Sequence, residues 1–118
     1  MYAEEAAASG RVRVHRLRHA HAGDALEWIG EDDPRPLTKK GRRQSERLGA
    51  FLEAHGERPD LIVTSPLVRA RQTAEIVAEA LGMTIKVDPR LGSGFGKRDL
   101  WSLLDETAAR EIMLVGHD

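Results

Sequence analysis

The hydrophobic and polar positions along the chain predict a regular order of strands and helices. Valine alternates with polar residues over 11–17, which predicts a short strand. The runs LIVT at 61–64 and EIMLV at 111–115 are mostly apolar, as is typical of strands covered on both faces. A further strand is predicted in MTIKV at 83–87, so the pattern indicates four strands spread over the whole length.

Three helices are predicted between these strands. Thr38 is an expected N-cap, and the hydrophobic residues after it recur at helical spacing up to a stop at Gly56. The Ser-Pro pair at 65–66 predicts the start of a second helix that runs to Leu81. A third helix is predicted over 100–110.

The alternation of strands and helices predicts the fold class. Such an order favours an α/β domain built as a three-layer α/β/α sandwich with a mostly parallel central sheet. We assign this domain to residues 11–118 and expect residues 1–10, which are acidic and rich in alanine, to form a mobile N-terminal tail. The motifs at 18–21, 64–69 and 116–118 each follow a predicted strand, so we expect them to converge at the carboxyl edge of the sheet.

Composition narrows the function classes. The chain has 118 residues, which suits one domain, and a formal net charge of −1, which argues against binding nucleic acid or an anionic membrane. It has no cysteine, so disulfides, a cysteine nucleophile and thiolate metal sites are excluded. Neither a membrane-spanning run nor a signal-peptide pattern is present in the sequence, and we expect a cytoplasmic location.

The residues expected at the carboxyl edge carry strong positive charge. Arg18, His19, Arg69 and His117 follow predicted strands, and Arg35 lies in a loop that can join them. Such a cluster suits a bound phosphoryl group, because guanidinium groups bind phosphate oxygens through paired hydrogen bonds. Neutral histidine can take the phosphoryl group and lose it to water, so His19 is the candidate nucleophile and no metal is required.

Four short motifs resemble those of the histidine phosphatase superfamily, the phosphoglycerate mutase-like proteins. They are Arg-His-Ala at 18–20, RPLTKKGRRQ at 35–44, SPLVRARQTA at 65–74 and Val-Gly-His at 115–117. Together they cover the chain from about residue 17 to its end, in the family's order. The small size and the arginine of the second motif are most similar to SixA-type phosphohistidine phosphatases.

This resemblance implies a mechanism and its residues. It implies a phosphohistidine intermediate on His19 and a phosphate pocket formed by Arg18, Arg35, Arg69 and His117, with no metal or cofactor. The implied substrate is phosphohistidine on a protein, and broader relatives act on small phosphorylated metabolites. Phosphate and its analogues are expected to bind.

The sequence departs from the family pattern in three places. The first strand carries Arg13, His15 and Arg16, so either it is less buried than a central strand or these side chains have partners. The family continues beyond the second histidine, which implies that C-terminal elements are absent from this chain. The loop at 88–99 offers Asp88 and Asp99 but no clear equivalent of the acid that protonates an ester leaving group, which favours a phosphoramidate substrate.

Other functional classes stay open at this stage. His15, His19 and His21 are separated by even numbers of residues, so a strand would place their side chains on one face. Together with Asp24 they would form a metal site. A phosphate- or phosphoprotein-binding module without catalysis is a second alternative. A transferase or mutase that returns the phosphoryl group to another hydroxyl is a third.

Overall fold

A computed structural model describes residues 2–6, 12–23, 28, 30–32, 34–92 and 94–116. The strands are β1 (Tyr2–Ala6), β2 (Arg13–Arg18), β3 (Leu61–Thr64), β4 (Ile85–Val87) and β5 (Glu111–Gly116). The helices are α1 (Lys39–Ala54), α2 (Val68–Leu81) and α3 (Lys97–Thr107), and a 3-10 turn occupies Pro89–Leu91. Within these residues, no helix is both long and apolar enough to cross a membrane.

The five strands form one sheet in the order β1-β2-β5-β3-β4. Strands β2, β5, β3 and β4 are parallel, and β1 pairs antiparallel with β2 at the edge. The sheet is therefore mostly parallel, as predicted. Strand β5 lies between β2 and β3, so the residues that follow β2 and β3 flank the end of β5.

Strand β1 differs from the expected mobile tail. Residues 2–6 pair with β2 in a register that sets Tyr2 opposite Leu17 and Ala6 opposite Arg13. Alanine and glutamate have low strand propensity, so the local sequence does not indicate a strand here. The pairing satisfies the backbone groups on the open side of β2, which would otherwise be an exposed edge.

The two faces of the sheet carry separate hydrophobic clusters, which confirms the predicted three layers. Alternate residues of the strands point to opposite faces. One cluster packs the sheet against α1 and α2 and includes Leu17, Leu52, Ile62, Val77 and Met113. The other packs the sheet against α3 and includes Val14, Val63, Leu103, Leu104 and Ile112.

Helix α1 begins where the sequence predicts. The Thr38 side chain accepts a hydrogen bond from the Gly41 N–H, and the chain leaves the helix through Gly56 at a positive φ of 68°. Its buried face, however, is made mostly of small residues, and Phe51 is 52% exposed. Small residues allow close approach to α2, since a Cβ atom on Gly49 would lie only 2.7 Å from the Cβ atom of Ala80.

The starts of the other two helices differ from the prediction. Helix α2 begins at Val68 rather than at the Ser-Pro pair, and its N-cap Leu67 makes no side-chain cap. The reason is that the Ser65 N–H still donates to the Val115 carbonyl of β5, which keeps the chain extended there. Helix α3 covers Lys97–Thr107 instead of 100–110, because the Asp99 side chain caps it by accepting from the Gly96 N–H.

The polar residues of β2, the first strand predicted from the sequence, have partners. His15 is 1% exposed, and its Nε2 atom lies 2.6 Å from a carboxylate oxygen of Glu111. Arg13 lies 3.6 Å from both Glu57 and Glu111, and Arg16 is exposed. Both explanations foreseen for this strand therefore apply: one histidine is buried with a partner, and the arginines lie nearer to solvent.

Candidate active site

The loop after β2 is attached to two neighbouring elements. The His19 N–H donates to the Gly116 carbonyl at the end of β5, at 2.7 Å. The next N–H, of Ala20, donates to the Thr73 hydroxyl of α2 at 3.0 Å, and that hydroxyl donates to the Arg69 carbonyl at 2.8 Å. The backbone around His19 is therefore positioned by both the sheet and α2.

The continuation of this loop rests on the start of α1. The His21 N–H donates to the Gln44 side chain at 3.0 Å, and the Thr38 N–H and hydroxyl both donate to the His21 carbonyl. Gly41 faces the same carbonyl, and a Cβ atom there would lie 2.0 Å from the His21 oxygen. Only glycine allows this approach of helix to loop.

Two contacts determine the tautomer of His19. Its Nδ1 atom lies 2.8 Å from the Ala20 carbonyl oxygen, which can only accept, so Nδ1 carries the proton. Its Nε2 atom faces the Arg69 Nε–H at 3.3 Å, and this group can only donate. The lone pair of His19 is therefore on Nε2 and is directed at the arginine side.

The surroundings of His19 favour the neutral ring. Burial lowers its pKa below the usual value of about 6.5, and the positive charges of Arg69, Arg18 and Arg35 lower it further. The hydrogen bond to the Ala20 carbonyl acts in the opposite direction. The net lowering leaves an unprotonated nitrogen near neutral pH, as a nucleophile requires.

Two of the predicted arginines are buried and joined by a carboxylate. Arg35 and Arg69 are 8% and 6% exposed. The Arg35 Nε atom donates to Asp32 Oδ1 and the Arg69 Nη2 atom donates to Asp32 Oδ2, each at 3.0 Å. The Arg69 Nη1 atom also donates to the Asp32 backbone carbonyl at 3.0 Å. The hydrogen bond from Arg35 holds the pKa of Asp32 below its usual range, so this carboxylate is ionised at neutral pH.

The structure thus brings His19, Arg35 and Arg69 into one site. Arg18 ends β2 with an exposed side chain and acts on His19 only through its charge, as far as the described residues go. His117 lies outside the described residues. The preceding Gly116 is bonded to the His19 backbone, as stated above.

Sequence reasoning missed Asp32, although an acidic residue three positions before Arg35 was a usable signal. The sequence also gave no role to the side chains that fix the loops. Gln72 accepts from the Leu37 N–H at 2.9 Å, in the same way that Gln44 serves His21 and Thr73 serves Ala20. These polar motif residues hold the backbone of the site in place.

The two aspartates considered as acids have structural roles. Asp88 is 6% exposed and accepts hydrogen bonds from the Arg90 backbone and guanidinium, which lower its pKa. Asp99 caps α3, as described above. Both carboxylates are therefore occupied, so among the described residues this loop supplies no free acid to the site.

A cavity of about 240 Å³ adjoins the site on the Arg35 side. Its walls are Ala22, Gly23, Trp28, Arg35, Pro36, Leu37 and Thr38. The Trp28 ring is 38% exposed, and its N–H donates to the Glu31 carbonyl at 2.8 Å. A cavity of this size holds a single ring or a short chain, whereas typical ligand pockets start at about 300 Å³.

The three histidines of the alternative metal site do not come together in the part of the chain that the structure describes. Among the described residues, the group with metal-ligand spacing is His15, Glu57 and Glu111, which does not include His19 or His21. Arg13 already lies against both carboxylates of that group. Asp24, the remaining member of the proposed set, lies outside the described residues.

Comparison with known proteins shows a family match over most of the chain. The family model of the histidine phosphatase superfamily, branch 1, matches residues 14–117. An uncharacterized protein of Picosynechococcus sp. is 36% identical over 113 residues, covering 90% of this chain and 66% of the relative. GpmB of Klebsiella pneumoniae, assigned as a phosphoglycerate mutase, is 36% identical over 109 residues, covering 88% of this chain and 50% of the relative.

Solved structures show the same fold. SixA of Agrobacterium tumefaciens, assigned as a phosphohistidine phosphatase, has a TM-score of 0.78 at 29% identity, covering 92% of this chain and 70% of that one. The protein histidine phosphatase SixA in complex with tungstate has a TM-score of 0.73 at 26% identity, covering 88% and 68%. The chain spans about two thirds or less of the length of the curated relatives given above.

Proposed function

The chain belongs to the histidine phosphatase superfamily, branch 1, and from this membership and the geometry at His19 we propose that it is a metal-independent phosphatase. The observation that carries the proposal is the orientation of the His19 ring. Its Nδ1–H is used by the Ala20 carbonyl, and its Nε2 lone pair accepts from the Arg69 Nε–H. When this N–H turns to a phosphoryl oxygen instead, the lone pair of Nε2 is released for attack on phosphorus.

The reaction has two steps. His19 Nε2 attacks phosphorus, the bond to the leaving group breaks, and the phosphoryl group is transferred to the ring. Water then attacks the same phosphorus atom, and the bond to Nε2 breaks with its electron pair returning to the ring. Phosphate leaves with one proton of the water, and the other proton passes to solvent. Arg35 and Arg69 bind the phosphoryl oxygens and stabilise the charge on them. We assign Arg18 and His117 to the same phosphate pocket on their motif positions.

The preferred substrate class is phosphohistidine on a protein. The leaving imidazole departs near neutral pH with little help from an acid, whereas an alkoxide requires a proton. Asp88 and Asp99 are both occupied by structural hydrogen bonds, which supports a substrate that needs no acid. The likeness to two SixA structures supports the same choice.

A second candidate is a phosphatase of small phosphate esters. The cavity beside Arg35 supports it, because apolar walls at Trp28 and Leu37 can receive a compact organic leaving group. In this case the acid that protonates the ester oxygen comes from the substrate, from water or from residues outside the described ranges.

One assay tests both candidates. Phosphate release is measured with EDTA present, from a phosphohistidine protein and from an aryl phosphate, for the wild type and for His19→Ala. We expect faster release from phosphohistidine, and a loss of at least about 10³-fold in kcat in the variant, because removing the nucleophile removes the covalent path. Preference for the aryl phosphate would support the second candidate.

A surface histidine gives the matched control. His55 ends α1 and stacks on Phe51 with ring centroids 4.1 Å apart, outside the site. His55→Ala should keep wild-type activity. Equal activity in His19→Ala and His55→Ala would contradict the proposed mechanism, and inactivity of the wild type on both substrates would contradict the proposed function.

A further inference from the structure

The carboxylate of Asp32 contacts Arg35 and Arg69 together, as a phosphoryl group bound by this pair would. One oxygen is bonded to each arginine at 3.0 Å, so the carboxylate bridges guanidinium groups from two different segments of the chain. The two arginine side chains are nearly buried, whereas the side chain of Asp32 is 51% exposed. The carboxylate is therefore at the solvent side of the pair.

We propose that Asp32 determines the specificity of this site: its carboxylate closes the arginine pair as a latch, which a phosphoryl dianion displaces and a singly charged anion does not. The inference rests on the proposed function, since it takes the Arg35–Arg69 pair to be the phosphate-binding group. The latch needs both arginines, because the carboxylate of Asp32 contacts both.

The charges explain why a latch is useful. Two buried guanidinium groups without a counter-ion repel each other, and Asp32 supplies one negative charge between them. A phosphoryl dianion brings a second negative charge and more acceptor oxygens, so it gains more from the pair than the carboxylate does. A free monoanion gains no more than Asp32 itself, and the tethered carboxylate competes at an effective concentration on the order of millimolar or higher.

The contacts of Arg35 favour a latch over a fixed support. The Arg35 Nη1 atom donates to the Ala22 carbonyl at 2.7 Å and to the Gly23 carbonyl at 3.0 Å. These bonds keep the guanidinium in place when Asp32 leaves. The exposure of Asp32 also means that its released carboxylate passes into water, which solvates it well. If Asp32 were instead a fixed support, its carboxylate would have to stay bonded to the arginines while phosphate is bound.

The test measures binding of tungstate, a phosphate analogue, by isothermal titration calorimetry with the wild type and with Asp32→Asn. Asparagine keeps the size of the side chain and removes the charge that closes the latch. A latch that is closed nine-tenths of the time raises the apparent Kd about tenfold, so we expect Asp32→Asn to bind tungstate about tenfold more tightly. Acetate should compete with tungstate in the variant and have no effect on the wild type at the same concentration.

The neighbouring Glu31 supplies the control. It is exposed, and among the described residues its carboxylate contacts neither arginine. Glu31→Gln removes the same charge one residue away, so it should leave the tungstate Kd within about twofold, in keeping with a screened surface charge. An equal gain in both variants would overturn the latch and indicate a general effect of charge.

The remaining outcomes separate this inference from the proposed function. Unchanged or weaker tungstate binding by Asp32→Asn, with normal binding by the wild type, overturns the latch alone and makes Asp32 a support for the arginines. Binding by the variant but not by the wild type supports a latch that is almost always closed. Absence of binding to both proteins overturns the phosphate site and the latch together.

Discussion

At the scale of single residues, the reactivity of His19 depends on the different hydrogen-bond partners of its two ring nitrogens. The Ala20 carbonyl holds the proton on Nδ1, and Arg69 faces the lone pair on Nε2. Partial burial and the neighbouring positive charges both disfavour the imidazolium form. Protonation of Nε2 would remove the nucleophile and add another positive charge beside the arginine.

The titration of His19 tests this arrangement. Its folded-state pKa is lowered, so the ring should stay neutral as pH falls through the usual value of about 6.5 and become protonated only below it. We expect the midpoint, followed by NMR of the histidine ring in the phosphate-free protein, below 6.5, with Nδ1 as the protonated nitrogen above it.

A midpoint at or above 6.5 would contradict this description of the site. The neutral tautomer with the proton on Nε2 would do the same, because it would place a donor against the Arg69 Nε–H.

The sequence predicted the identity of the central residues but not their state. His19, Arg35 and Arg69 stand in motifs that can be recognised, and the structure brings them together. The tautomer of His19 and the bridge through Asp32 depend on distances of about 3 Å between loops, which no local pattern encodes. The catalytic and phosphate-binding roles of these central residues, and those of Arg18 and His117, stay predictions.

At the scale of elements, the start of α1 acts as a support for the loop that carries His19. Thr38 both caps the helix and binds the His21 carbonyl, and Gly41 allows the helix backbone to reach that carbonyl. The conformation of the loop is thus tied to the first turn of a helix some twenty residues later in the chain.

Gly41→Ala should disturb both stability and activity. The added Cβ atom would lie 2.0 Å from the His21 oxygen, which is backbone and has little freedom to move. Overpacking of this kind costs about 1–3 kcal/mol in the free energy of unfolding. Displacement of the loop by about 1 Å can lower kcat/KM on the order of 10²-fold. Thermal unfolding and steady-state kinetics measure the two effects.

Gly49→Ala is the matched control on the same helix. Its Cβ atom would press on the Ala80 side chain at the α1–α2 contact, far from the loop in sequence, so α2 must yield slightly. We expect a loss of stability of about 1–3 kcal/mol, as for Gly41→Ala, because the Ala80 Cβ atom is fixed to the α2 backbone and the better helix propensity of alanine offsets only part of the strain. Its kcat/KM should stay at the wild-type value. A similar fall in kcat/KM for both variants would contradict the role given to Gly41.

Element bounds were predictable where the signal is local. The N-cap at Thr38 and the apolar run of β3 are local features, and both were confirmed. The start of α2 was predicted too early because Ser65 is still bonded to β5, and the pairing of Tyr2–Ala6 was missed because another strand supplies its partners. In each case a tertiary hydrogen bond outweighed the local preference.

At the scale of the whole molecule, the strand order assembles the site. Strand β5 lies between β2 and β3, so the His19 N–H bonds to Gly116 on one side and the Ser65 N–H bonds to Val115 on the other. The loop of Arg35 is held against α2, because Gln72 accepts from the Leu37 N–H and Arg69 donates to Asp32. Segments distant in sequence thereby meet at one edge of the sheet.

This convergence was predictable in part. Alternating strands and helices predict a parallel sheet, and a parallel sheet brings the ends of its strands to one edge. The order in which the strands lie is a property of long-range packing, so the sequence pattern alone did not place β5 between β2 and β3. The polar residues in β2 are unusual for a central strand. The fold tolerates them because Glu111 is the partner of His15 and because β2 lies next to the edge of the sheet.

The central claim is that a phosphoryl group is carried on Nε2 of His19. The most direct test is a single turnover of a radiolabelled phosphohistidine protein with this chain in a rapid-quench experiment. The reaction is stopped in alkali, because alkali preserves a phosphorus–nitrogen bond. The labelled site is then identified by peptide mapping and phosphorus NMR. We expect a transient, acid-labile label attached to Nε2 of His19, found on the peptide that holds this residue. His19→Ala should carry no label. Turnover with no labelled enzyme, or label that persists in His19→Ala, would contradict it.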